Sequence, residues 1–117
     1  MFPSDLDVMA RVWFQREGEY LLGEREAALL GAIEQSRSIK EAAKTTGISY
    51  RTAWAALQAM ERALGAPVVH SRAGGPGGGA TTLTDDTRAL LRLYDGVRRR
   101  VEEFVQAEFR AALTHSE

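Results

Sequence analysis

The sequence predicts an α+β fold, mainly helical with a small β component, on three observations. Two serine-initiated helical segments flank Gly47. A glycine-rich tract, SRAGGPGGGATTLT at 71–84, separates two short β-prone runs, and the last third of the chain carries an apolar stripe at helical spacing. With 117 residues, 44% apolar and 26% charged, the chain has the size and composition of one folded module, residues 1–117.

The opening stretch, DVMARVWFQREGEYLLG, alternates Val8, Ala10, Val12 and Phe14 with Met9, Arg11, Trp13 and Gln15, the period of a strand. Glu17 and Gly18 supply a tight turn and Tyr20 to Leu22 return, so residues 1–23 read as a β-hairpin. From 24 to 36, Ala28, Leu29, Ala32 and Ile33 share one helical face. Ser38 followed by Glu41 is a capping box for a second, short helix that Gly47 ends. Ser49 caps a third, whose Ala53, Leu57, Met60 and Leu64 lie on one face up to Gly65. A short helix, a glycine turn and a longer helix within 24–65 make a helix-turn-helix. Residues 66–83 read as a hairpin with a glycine tip, a wing beside that motif. Thr84, with Asp85 and Asp86, starts a last helix to about Leu113. Along it Leu90, Tyr94, Val97, Val101 and Phe104 form a heptad seam, expected to pair two copies of the chain. A helix of about 30 residues spans roughly 45 Å, more than so small a module covers by itself.

The net charge of −1 is unevenly spread: −4 over residues 1–35, +4 over 36–72 and −1 over 73–117. The basic middle third coincides with the helix-turn-helix and is compatible with a local phosphate-facing surface, as double-stranded DNA would need, and equally with a solvated face. At the start of the third helix Ser49, Tyr50, Arg51 and Thr52 are placed to enter a major groove, Arg51 being able to donate two bonds to a guanine edge. Ser38 is a further candidate at the start of the second helix. On the wing the candidates are Arg72 and the backbone N–H groups of Gly74, Gly75, Gly77 and Gly78, which approach an anion without Cβ interference. Trp54 reads as a packing residue, and Arg98 to Arg100 as a solvated face.

Catalysis finds no support. The glycine tract lacks the lysine of a phosphate-binding loop and the βαβ context of a dinucleotide site. His70 and His115 have no third ligand at metal spacing, adjacent Asp85 and Asp86 serve the helix dipole, and there is no cysteine. No enzyme activity, metal or cofactor is expected. With no basic-then-apolar leader and no run of 18 apolar residues, the expectation is a cytoplasmic protein without a membrane partner.

From Leu29 to Tyr94 the chain resembles the DNA-binding domain of molybdate-responsive ModE regulators, a winged-helix group related to the N-terminal domains of LysR-type regulators. SIKEAAK, GISYRTAW and GGPGGGATTLT carry the resemblance. It implies a winged helix-turn-helix with an N-terminal hairpin and a long C-terminal dimerisation helix, acting as a homodimeric, sequence-specific transcriptional regulator. The family usually has a lysine where this chain has Pro76, and a Glu-Arg pair where it has His70 and Ser71; Arg72 can replace the lost charge. Full-length members continue into domains that bind molybdate, so no molybdate site is expected in this chain. The alternative reading is a protein-interaction module, or a DNA-binding subunit that depends on a separate ligand-sensing partner.

Overall fold

The computed structural model describes residues 2–75 and 78–116. Strands β1 (Phe14–Arg16) and β2 (Glu19–Leu22) are followed by helices α1 (Glu24–Ser36), α2 (Ile39–Thr46) and α3 (Tyr50–Leu64). Strands β3 (Val69–Gly75) and β4 (Gly78–Leu83) then lead into helix α4 (Asp85–Ser116). Each strand pair is its own antiparallel two-stranded sheet, so the fold is a winged helix of the α+β class.

The first hairpin turns at Glu17 and Gly18, both at positive φ (51° and 79°), the pair of left-handed residues that suits the twist of a two-residue turn. Its first strand is shorter than the alternation suggests. Val8, Ala10, Val12 and Phe14 are each half-buried, while Met9, Arg11 and Trp13 face out, yet cross-strand pairing begins at Phe14. The period of two therefore marks an extended arm that lies on a helix instead of a sheet. Gln106 Nε2 donates to the Val8 carbonyl (2.8 Å) and the Tyr94 hydroxyl to the Val12 carbonyl (2.7 Å), both from α4.

Helix α1 begins at Gly23, whose N–H donates to the Glu26 carboxylate (2.9 Å). The Tyr20 hydroxyl donates to the same carboxylate, and a Cβ at residue 23 would meet that hydroxyl at 2.7 Å. Partial burial, then the bond to Glu26, push the Tyr20 hydroxyl up to about 12. The buried face of α1 is Ala27, Leu29, Leu30 and Ile33. Ala28 is exposed, because the core lies a little to one side of the face that the apolar spacing marks. These residues pack with Leu22, Ile39, Ala42, Ala43, Ala53, Leu57, Met60, Val68, Leu83 and Tyr94 into one core.

Gly31 is half-buried on α1, and a Cβ added there would touch nothing within 4 Å. Gly31→Ala is therefore expected to stabilise the fold by roughly 0.5–1 kcal/mol through helix propensity. A thermal melt should show a rise of about 4 °C, and a fall would mean that the site is more crowded than it looks.

The wing and α4 share one anchor. The Thr84 N–H donates to the Val68 carbonyl (3.0 Å) and the Thr84 hydroxyl to the Pro67 carbonyl (3.1 Å). That hydroxyl has one hydrogen, so in its 2.8 Å contact with the Thr87 hydroxyl the latter is the donor, and it also accepts the Thr87 N–H. Both threonines are buried and satisfied, and together they start α4. The helix has 32 residues, about 48 Å at 1.5 Å each. The radius of gyration is 18.1 Å, against about 13 Å for a compact chain of this length. Tyr94 marks the reason: beyond it no described side chain of α4 is fully buried, and the helix runs out past the core with the arm along one side.

Candidate nucleic-acid interface

Two helices meet around a turn that backbone geometry dictates. Ser38 caps α2, its hydroxyl accepting the Glu41 N–H (3.1 Å). The reciprocal half of the box is absent, because the Ser38 N–H donates instead to the Ser36 hydroxyl (3.2 Å). Gly47 ends α2 at φ 74°, a left-handed conformation that costs glycine nothing, and the Ile48 N–H returns to the Ala43 carbonyl (3.0 Å). Ser49 then caps α3 through the Thr52 N–H (3.0 Å). Helix α2 buries Ile39, Ala42 and Ala43, and α3 buries Ala53, Leu57 and Met60. The alanines let the two helices approach closely. At its other end α3 is held by Arg16, whose guanidinium donates to the Ala63 and Leu64 carbonyls (3.2 and 2.8 Å), a cation at the negative end of the helix.

With those faces buried, the first turn of α3 projects into solvent. Tyr50 is 53% exposed, its ring edge-on to Trp54 at 6.3 Å between centroids, so the aromatic base is braced while its hydroxyl stays accessible. Trp54 is partly buried against the core, as a packing residue should be. Arg51 is exposed and its side chain has no hydrogen bond or ion pair among the described residues. The Ser49 hydroxyl is already engaged: besides accepting the Thr52 N–H, it donates to Thr52 Oγ1 (2.9 Å). The free donor of that pair is therefore the Thr52 hydroxyl. Ser49 is left with acceptor capacity, a weaker partner for a phosphate than its position in the sequence suggests.

Lys40 and Lys44 are exposed on α2, and the spacing argument for α3 passes over them because their own helix is short. Lys44 lies 3.7 Å from Glu41 in an exposed ion pair that does little to hold it. On the wing, Arg72 is exposed on β3 opposite Ala80, and Gly75 pairs with Gly78 after a bulge. Gly74, Gly75 and Gly78 thus stand in the strands themselves, whereas Gly77 lies outside the described residues.

The stripe on α4 divides. Tyr94 is 0% exposed and belongs to the chain's own core, edge-on to Phe14 at 5.2 Å, so its side chain is not available to a second copy. Burial raises its hydroxyl above the ordinary tyrosine value, with Glu24 adding to the shift. Leu90, Val97 and Val101 are half-buried and Phe104 is 65% exposed. Leu93, which the heptad reading leaves out, is exposed and lies four and eleven residues before Val97 and Phe104, on one helical face with them. Met9, 80% exposed, and Trp13 face out from the arm.

Residues 25–88, from α1 into the start of α4, match the family described as bacterial regulatory helix-turn-helix protein, lysR family. The chain belongs to that family. Within this lysR-type frame it is similar to the molybdenum-pterin-binding protein MopB of Rhodobacter capsulatus, 37% identical over 86 residues, which is 74% of this chain and 32% of that protein. It is also similar to the transcriptional regulator ModE of Haemophilus influenzae, 40% identical over 78 residues, 67% of this chain and 31% of that protein. The DNA-binding transcriptional dual regulator ModE of Escherichia coli shares 41% identity over 71 residues, 61% of this chain and 27% of that protein. The chain thus spans about a third of the length of the curated relatives it matches. Among the described residues of this lysR-type chain, no helix is long and apolar enough to cross a membrane.

Proposed function

We propose that the chain is a non-catalytic, sequence-specific regulator of transcription that binds double-stranded DNA as a homodimer. The observation that carries this reading is the first turn of α3, where Tyr50 and Arg51 stand exposed and Thr52 half-buried beside them on a helix capped at both ends, the Arg51 side chain having no partner among the described residues. Arg51 reads a base edge and the Thr52 hydroxyl donates beside it. Ser38, Arg72 and the glycine backbone of the wing meet phosphates and set the register. The regulators among its relatives and the basic middle third support this assignment. The groove between α1 and α2, about 700 Å³, is lined by alanine, glycine, glutamine, serine and threonine, a set with no acid, base or nucleophile poised for chemistry.

The apolar stripe of α4 supports dimerisation. Leu93, Val97 and Phe104, with Leu90 and Val101 beside them, form an apolar stripe on a helix that runs beyond its own core. A second copy related by a two-fold axis covers that stripe with the same stripe. Two α3 helices are then offered to successive major grooves, giving half-sites about 34 Å apart or a multiple of it. Phe104→Glu is expected to weaken the dimer roughly a hundredfold, since each copy places a charge in the seam. Light scattering coupled to gel filtration should show a monomer at micromolar concentration; a dimer that persists unchanged would move the interface elsewhere.

Selection of bound sites from a random duplex pool tests the whole reading. A paired motif with salt-dependent affinity is expected, and no enrichment with no salt-dependent binding would overturn it.

A further inference from the structure

Arg37 joins α1 to α2, and its backbone is at φ 59°, ψ 30°, in the left-handed region. Its N–H closes the end of α1 on the Ile33 carbonyl (2.7 Å), and its carbonyl accepts the Thr81 N–H of β4 (2.9 Å). Glycine makes both bonds without strain, so an arginine here directs attention to the side chain. Arg37 lines a shallow cleft of about 260 Å³ together with His70, Ser71, Arg72, Ala80 and Thr82. The strand register explains the grouping: His70 pairs with Thr82 and Arg72 with Ala80, so these four share one face of the wing. Arg37 comes to that face because the Thr81 bond draws the α1–α2 connection onto β4. Arg37, Arg72 and His70 thus border one cleft with no carboxylate among its lining residues; Glu34 borders the adjoining cleft and is paired with Arg88, and Arg37 has no side-chain ion pair among the described residues.

We infer that this cleft is a phosphodiester site, holding the backbone of the same duplex whose major groove receives α3, with Arg37 as its main contact and Arg72 and His70 beside it. The inference rests on the DNA-binding reading. Arg37 directly precedes Ser38, the cap of α2, so the cleft lies between the helix-turn-helix and the wing. All three basic side chains are exposed, and exposed cations hold a free anion weakly in water. A phosphate delivered by a duplex already docked on α3 binds at high effective concentration, which makes the same weak contacts count.

The test is Arg37→Gly, with Arg37→Lys as control, on the duplex selected above. Arg37→Gly should melt at or above the temperature of the unsubstituted chain. Its affinity should fall roughly five- to tenfold for all sites alike, and the slope of log affinity against log salt should shrink by about one. Arg37→Lys, keeping the charge, should retain most of that slope. Unchanged affinity and slope in Arg37→Gly, while the unsubstituted chain binds, would overturn this inference and leave the DNA reading standing. Failure of the unsubstituted chain to bind any duplex would overturn both. A melting shift with inorganic phosphate at matched ionic strength, lost in Arg37→Gly while duplex binding stays intact, would assign the cleft to a free oxyanion and equally overturn it.

Discussion

Tyr94→Ala is expected to destabilise the protein by about 4 kcal/mol, the upper range for removing a buried aromatic side chain. Three contributions coincide at this residue. The ring is fully buried, it meets Phe14 edge-on at 5.2 Å with an interplanar angle of 75°, and its hydroxyl donates to the Val12 carbonyl at 2.7 Å. Burial supplies most of the effect, the aromatic pair about 1 kcal/mol and the hydrogen bond about 1 kcal/mol more. Tyr94→Phe isolates the last of these and should cost about 1 kcal/mol. Because the bond ties the N-terminal arm to α4, both variants should speed tryptic cleavage after the exposed Arg11 of that arm. Urea denaturation at fixed protein concentration measures the energies, concentration being held because dimerisation adds to apparent stability. A loss below about 1.5 kcal/mol for Tyr94→Ala would show that the site collapses around the smaller side chain and that the arm does not depend on it.

Arg51→Ala is expected to weaken binding to the selected site by roughly 10- to 100-fold, the range for losing a bidentate contact to a base. The fold should not notice: Arg51 is exposed and its side chain has no hydrogen bond or ion pair among the described residues, so stability should stay within about 0.5 kcal/mol. The two measurements together separate reading from folding. Repeating the site selection with this variant should relax preference at one base pair in each half-site and leave the spacing unchanged. This contrasts with Arg37→Gly, which is expected to weaken all sites evenly. An Arg51→Ala chain that binds its site undiminished would move base recognition to neighbouring side chains, of which Tyr50 and Thr52 come first.

The resemblance to lysR-type regulators became visible where local rules are strict. Ser38 and Ser49 cap helices, Gly47 and Gly65 terminate them at φ 74°, and Gly18 supplies the positive φ of the hairpin turn. Each depends on backbone dihedrals and hydrogen bonds within about four residues, so a short window of sequence contains the whole cause. Arg51 could be singled out for the same reason: the first turn of a capped helix that buries Ala53 and Leu57 has to expose it, with Thr52 half-buried beside it.

Other features depend on what meets what across the fold. The alternation from Val8 to Phe14 correctly separates an inner from an outer face, but a period of two is equally the signature of a strand in a sheet and of an arm along a helix. The heptad stripe on α4 includes Tyr94 by spacing, yet Phe14 and the Val12 carbonyl claim it for the interior and Leu93 is left outside. Ser49 is named by its position, and its partnership with Thr52 reduces what it can offer a phosphate. Arg37 carries no local signal at all; it joins His70 and Arg72 because one backbone bond to Thr81 folds the start of α2 onto the wing. The sequence by itself determined where the helices start and stop and which faces are apolar. Tertiary structure alone decided which apolar face meets the chain's own core and which cations share a cleft, because those outcomes depend on contacts between residues tens of positions apart.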